Sequence, residues 1–174
     1  IIMVGGYVAF ICMINVGLPA YLSIIIAMLV CTILGVVIER VAYKPLRQAS
    51  SLAVLITAIG VSYLLQNLAL LIFGSNPYIF TSVVSIPSIK LAGGDLIISG
   101  ETITAVATSV VIVVVLSFFV NKTKPGRAML AVSEDKGAAQ LMGVNVNATI
   151  ALTFAIGSAL AAVAGVLLCS KYPN

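Results

Sequence analysis

Apolar runs long enough to cross a lipid bilayer, cut apart by loops that hold nearly all the charge, leave this chain one class of fold. A hydrocarbon core of ~30 Å takes roughly 20 apolar residues of helix, whereas a membrane barrel shows alternating segments of about 10. The runs here are continuous and do not alternate. The expectation is therefore an all-α fold, a polytopic transmembrane helical bundle. Five spans are drawn: Ile1 to Asn15, Tyr21 to Ile38, Leu52 to Phe73, Thr102 to Val120 and Thr149 to Leu168. With 61% hydrophobic and 8% charged residues and a mean hydropathy of +1.23, the chain lies far from soluble domains, in which roughly a quarter of residues are charged. It starts at Ile1, without an initiator Met or a charged start and already inside an apolar run, so it reads as a fragment of a longer protein; that no signal-peptide cleavage pattern is visible is uninformative.

The charges set an orientation. Arg40, Lys44 and Arg47 fall in one loop and Lys122, Lys124, Arg127 and Lys136 in another, while the opposite side holds only Lys90 and Lys171 of the nine basic residues. Basic residues near span ends stay in the cytoplasm. Loops 39–51 and 121–147 are thus expected inside, with the segment 74–101 and the tail after Cys169 outside. The run from Ser88 to Ile98 alternates on both sides of Gly93-Gly94 and predicts a small hairpin cap, able to touch a soluble partner or to shield helix ends.

Catalytic chemistry is scarce. The chain has no His, no Trp, no phosphate-binding glycine loop, no zinc-protease motif and no acidic pair within a span. No enzymatic activity is expected of it alone. Cys12, Cys31 and Cys169 are far apart in apolar sequence and read as small packing residues. Ion-coupled carriers place ionisable groups near the bilayer midplane, but Glu39, Arg40 and Glu101 all sit at span ends. Proton or sodium coupling in this part of the protein is disfavoured.

Two spans carry patterns beyond apolarity. In the third, Thr57, Gly60, Leu64 and Asn67 share one face and Ser62 and Gln66 another. Gln66 and Asn67 are candidates for a translocation path, together with Thr57 and Gly60, or for hydrogen bonds between helices. In the fifth, Gly157, Ala161 and Gly165 recur every four residues, with Ser158 and Ala162 beside them, and predict a close helix contact.

The loop from Asn121 to Asn147 is the expected functional centre. It holds four of the nine basic residues and two of the five acidic ones between two spans. Ser133 is suited to cap a helix, Glu134 and Asp135 complement the positive end of its dipole, and Gly143 suits the left-handed position past its end. The predicted helix has about ten residues and a length of some 15 Å. Ala138, Ala139, Leu141 and Met142 on its exposed face suggest a socket in a partner protein. The alternative, a helix lying on lipid, fits its short length and weakly basic face less well.

Several stretches together resemble one family: ERVAYKPLR from Glu39 to Arg47, ITAIGVS from Ile56 to Ser62 with LQN ending at Asn67, FGSN from Phe73 to Asn76, GRAMLAV from Gly126 to Val132 followed by Glu134, Asp135, Ala138 and Ala139, and GVNV from Gly143 to Val146. In order and spacing they resemble the LivH-type permeases of branched-chain amino-acid ABC importers, over nearly the whole chain. The resemblance implies an inner-membrane permease domain over 1–174, cut at both ends from a chain of about eight spans. Its implied partners are a second, LivM-like permease, two cytoplasmic ATP-binding subunits, an extracytoplasmic amino-acid-binding protein and membrane lipid, with no nucleic acid. ATP and magnesium would bind the partners and no cofactor this chain. The segment from Glu134 to Gly143 would be the coupling helix, seated in the ATPase. Gly137 departs from the pattern, where a better helix former is expected, and bears on the helix's stiffness. Relatives of this kind also import urea, short amides or other amino acids. Two readings from other classes stand beside it: a self-contained channel or secondary carrier, and a subunit that only anchors a partner enzyme.

Overall fold

In hydrocarbon a backbone amide has no water to bond, so an apolar run satisfies its own amides as helix. The computed structural model follows that rule; it describes residues 1–14, 17, 19–47, 49–74, 89–91, 96–98 and 100–171. The order is α1 (Ile2–Ile14), α2 (Ala20–Ile38), a π-helical turn (Glu39–Tyr43), α3 (Ser51–Phe73), β1 (Ile89–Leu91), β2 (Leu96–Ile98), α4 (Gly100–Lys122), α5 (Lys124–Glu134), α6 (Lys136–Leu141) and α7 (Val146–Lys171). Among the described residues, four helices are long and apolar enough to cross a membrane: Ala20–Tyr43, Leu52–Phe73, Thr102–Lys122 and Val146–Ser170. The first expected span is a shorter apolar helix of 13 residues, roughly 20 Å long at 1.5 Å per residue.

Local chemistry sets the helix ends. Ser50 caps α3, its hydroxyl accepting from the Ala53 amide, and α3 stops at Gly74, whose φ of 76° suits a residue without a side chain. The predicted hairpin is present as an antiparallel pair with Ile89 opposite Ile98, Lys90 opposite Ile97 and Leu91 opposite Leu96. Its turn residues Gly93 and Gly94 lie outside the described residues, as do Asn15 and residues 75–88.

The core is the triad α1, α2 and α7. Small residues let these backbones approach: Ala9, Ala27, Cys31, Ala162 and Val166 are buried together, with Ser23 and Ser158 also buried. Helices in lipid gain little from hydrophobicity alone, so such close packing is what holds them. A side chain on Gly5 would place its Cβ 2.8 Å from the Ala162 Cα, and one on Gly165 would strike the carbonyl group of Ile2. Helix α4 leans on α5 and α7. Helix α3 meets the rest chiefly at its ends, through the π-helical turn on one side and a stack of Phe73 on Tyr7, ring centroids 4.4 Å apart, on the other. Large apolar side chains along α3 and α4, Leu55, Ile59, Leu64, Leu71, Val110, Val114 and Phe118 among them, are therefore exposed on this chain. In a membrane they meet lipid or other helices.

Candidate functional site

The loop between α4 and α7 folds as two helices, where the sequence predicts one. Thr123 turns the chain: its hydroxyl donates to the Phe119 carbonyl at 2.7 Å and accepts from the Gly126 amide at 3.1 Å, with Pro125 in the first turn of α5. Gly126 is needed there, because a side chain would collide with the backbone of Phe119 and Val120. Helix α5 packs on α4 and α7, burying Gly126 and Val132.

Asp135, in an extended conformation at φ −149°, separates α5 from α6. Its carboxylate accepts from the Gly137 amide at 2.7 Å and the Ala138 amide at 3.1 Å, so it is the N-cap. Ser133, the expected cap, belongs instead to the last turn of α5, where its hydroxyl donates to the Leu130 carbonyl at 2.7 Å, and Glu134 closes that helix. Both residue types cap well. Helix α5 is packed on α4 and α7 with Val132 buried, so helix continues past Ser133 and leaves the cap to Asp135. The result is a six-residue α6, shorter than the ten expected. Gly143 ends it at φ 83°, in the left-handed region expected of it; its amide donates to Gln140 O at 3.0 Å and the Val144 amide to Ala139 O at 3.0 Å.

Of the expected exposed face, Leu141 and Met142 stand out at 91% and 85% exposure and Ala138 is exposed, whereas Ala139 is buried at 4%. Ala139 is the side of α6 that seats on the protein. Helix α7 begins at once, with the Asn145 side chain accepting from the Ala148 amide at 3.1 Å and the buried Thr149 hydroxyl donating to Asn145 O at 3.0 Å.

A polar network that sequence reasoning missed lies beside α6. Glu39, 3% exposed, pairs with Arg47, whose guanidinium also donates to the Asn147 side-chain oxygen at the start of α7. Tyr43 packs on Phe154 of α7, ring centroids 5.0 Å apart. These contacts bring loop 39–51 and loop 121–147 to the same end of the bundle. A cavity of about 420 Å³ opens there, lined by Arg47, Lys136, Gln140, Asn145 and Asn147 among others. An apolar groove of about 520 Å³ lies between α4, α5 and α7, with Leu116, Leu130, Thr153 and Phe154 in its walls. Only Glu39 beside three basic residues hinted at the network, since its third member is a hundred residues away.

The candidate path residues stay on α3 and bond within it. Thr57 donates to Ala53 O at 2.8 Å, Gln66 to the Ser62 hydroxyl at 3.2 Å and Asn67 to Tyr63 O at 2.8 Å, while nothing approaches the Cβ position of Gly60 within 4 Å. None of these bonds reaches another helix. On α7 the expected packing column holds at Gly165, which is pressed against Ile2 of α1, and not at its other two members. Gly157 is exposed with nothing near it and Ala161 is half-buried, whereas Ser158, Ala162, Gly165 and Val166 form the buried face. Two columns of small residues run side by side, and Gly35 of α2 and Gly5 of α1 select the second by fitting against Ser158 and Ala162. Among the described residues no three His, Cys, Asp or Glu side chains gather as metal ligands would.

Four helices of spanning length, with two of them joined by the short capped helix α6, define an all-α polytopic membrane protein. The whole chain, residues 1–174, matches the family described as the permease component of the branched-chain amino acid transport system, and it belongs to that family. It is 36% identical over 182 residues to the high-affinity branched-chain amino acid transport system permease protein BraD of Pseudomonas aeruginosa, covering 98% of the chain and 59% of that protein. It is 37% identical over 188 residues to the permease protein LivH of Salmonella typhimurium, covering 98% of the chain and 58% of that protein. A more distant relative is the fructose import permease protein FruG of Bifidobacterium longum, 26% identical over 88% of the chain and 45% of that protein. The chain thus spans a little under three-fifths of the length of the first two. No solved structure matches it significantly.

Proposed function

We propose that this chain forms the membrane path of an ATP-binding-cassette importer for branched-chain or closely related amino acids. The observation that carries the reading is the family match over residues 1–174, joined to relatives at 36–37% identity that are named for branched-chain amino acid transport. In this reading it pairs with a second, LivM-like permease. Two cytoplasmic ATP-binding subunits hydrolyse ATP, and an extracytoplasmic binding protein delivers the solute. The chain itself carries out no covalent chemistry. Both basic loops face the cytoplasm, and the charge bias and the Arg47–Asn147 contact support placing them together.

Helix α6, from its Asp135 cap to Gly143, is the coupling helix. Leu141 and Met142 are the side chains offered to the ATPase, since apolar groups this exposed gain most by burial in a partner's cleft. Closure of the ATPase pair pushes α6, and α7 moves with it because their junction is fixed by the Val144, Ala148 and Thr149 bonds. Alternating access follows.

Mass spectrometry of the protein purified from its native membrane in mild detergent tests the assembly. A Walker-motif ATPase and a second permease are expected; recovery alone or only with itself would favour a channel or secondary carrier. For the path, Gln66→Leu is expected to leave the complex intact, because among the described residues its amide bonds Ser62 of the same helix, and to lower uptake roughly fivefold, the equivalent of ~1 kcal/mol for one side-chain hydrogen bond. Uptake measured per assembled complex decides; unchanged uptake from a looser complex would assign Gln66 to packing.

A further inference from the structure

We infer that Arg47 is a positioning residue that carries motion of the coupling helix to α3, an inference that rests on the importer reading above. Arg47 sits in the turn between the foot of α2 and the start of α3, where the Leu46 amide donates to Tyr43 O at 3.1 Å and the Ala49 amide to Leu46 O at 3.0 Å. Ser50, three residues further along the chain, caps α3. A shift at Arg47 therefore reaches α3 with little slack.

The guanidinium faces two partners on two elements. One is the buried Glu39 carboxylate on the π-helical turn, and the other is Asn147 Oδ1, on α7 just past α6. Its Nε is buried without an acceptor, and the arginine side chain is only 18% exposed, so the group is aimed at these partners and not at water. The planar fork of arginine spans two oxygens at once, which a lysine ammonium on its flexible stem does less well. Glu39 opens a π-helical turn, and such turns are rare and recur at functional sites.

The rest of α3 gives the link its leverage. Its far end is held by the Phe73–Tyr7 stack, its near end by the π-helical turn, and its polar side chains bond within the helix. Held at one end and steered at the other, α3 tilts when Asn147 moves. The face that swings carries Thr57 and Asn67.

The test uses the complete importer reconstituted in proteoliposomes, with solute uptake and ATP hydrolysis measured together. Asn147→Leu leaves the Glu39–Arg47 pair in place and removes only the bridge to α7. Solute moved per ATP is expected to fall roughly tenfold, within the 5–150-fold range of site-to-site coupling, while assembly and basal hydrolysis persist. Arg47→Lys, which keeps a charge beside Glu39 but loses the fork, should show the same loss. Asn147→Asp retains the acceptor and should keep the normal ratio. A wild-type ratio in Asn147→Leu, or an equal loss in Asn147→Asp, would overturn the inference. If the unmodified importer shows no ATP-dependent uptake, the transport reading itself fails and takes the link with it.

Discussion

Gly143→Pro is expected to abolish uptake by the assembled importer while the spans remain inserted. Proline locks φ near −65° and has no amide hydrogen, whereas Gly143 lies at φ 83° and donates to Gln140 O at 3.0 Å. The substitution also pushes Met142, now at φ −79° and ψ 7°, away from the helical region. Both the end of α6 and its hand-over to α7 are lost, at a cost on the order of 3 kcal/mol. That damage lies outside the α1, α2 and α7 core, so membrane insertion is spared. Gly143→Ala should lose far less, because nothing lies within 4 Å of its Cβ position and a single left-handed alanine costs roughly 1–2 kcal/mol. Ala138→Arg, on the exposed side of α6, should uncouple ATPase activity from uptake without disturbing the helix. Paired uptake and hydrolysis assays on the three variants give the result. Normal transport in Gly143→Pro or Ala138→Arg would remove α6 from the coupling role.

The second large effect concerns folding. Gly35→Leu should sharply reduce the yield of folded protein and its thermal stability in detergent, whereas Gly157→Leu should change neither. A Cβ on Gly35 would fall 2.6 Å from the Ser158 Cβ and 3.3 Å from the Phe154 carbonyl oxygen, and would collide with the Ser158 hydroxyl. Ser158 is short and buried, so it has nowhere to turn. Overpacking of this kind costs about 1–3 kcal/mol or more, and here it parts the two most extensively packed helices. Gly157, one residue along α7, has open space at its Cβ position. Thermal unfolding of the two variants side by side locates the packed column; an equal loss in both would put the contact on Gly157 after all.

That contrast shows where sequence reasoning reached its limit. Four of the five spans were legible because backbone burial in lipid permits little besides helix: α3 begins within one residue of its expected start and ends at Phe73 as drawn. The hairpin strands and the left-handed glycine at 143 were legible for similarly local reasons, alternation in one case and helix termination in the other. Periodicity could not choose between adjacent columns of small residues on α7, because Gly157 and Ser158 begin equally regular repeats. The choice belongs to α1 and α2, where Gly5 and Gly35 meet Ala162 and Ser158 while Gly165, the last member of the expected column, is also packed against α1. Asp135 and Ser133 posed the same problem at a helix start, since both cap well and the extent of α5 decides between them. The Glu39–Arg47–Asn147 network was illegible for a different reason. It joins groups that become neighbours only after two loops have been carried to one end of the bundle.

As far as helix packing goes, the middle of α3 is free to change. Thr57, Gln66 and Asn67 bond to groups one turn earlier in their own helix, so exchanging any of them strands no partner elsewhere among the described residues. A change at Gly35 or Gly165, by contrast, demands a simultaneous change in a second helix. The chemistry of α3 can thus be rewritten one substitution at a time, whereas the α1, α2 and α7 frame changes only in matched pairs.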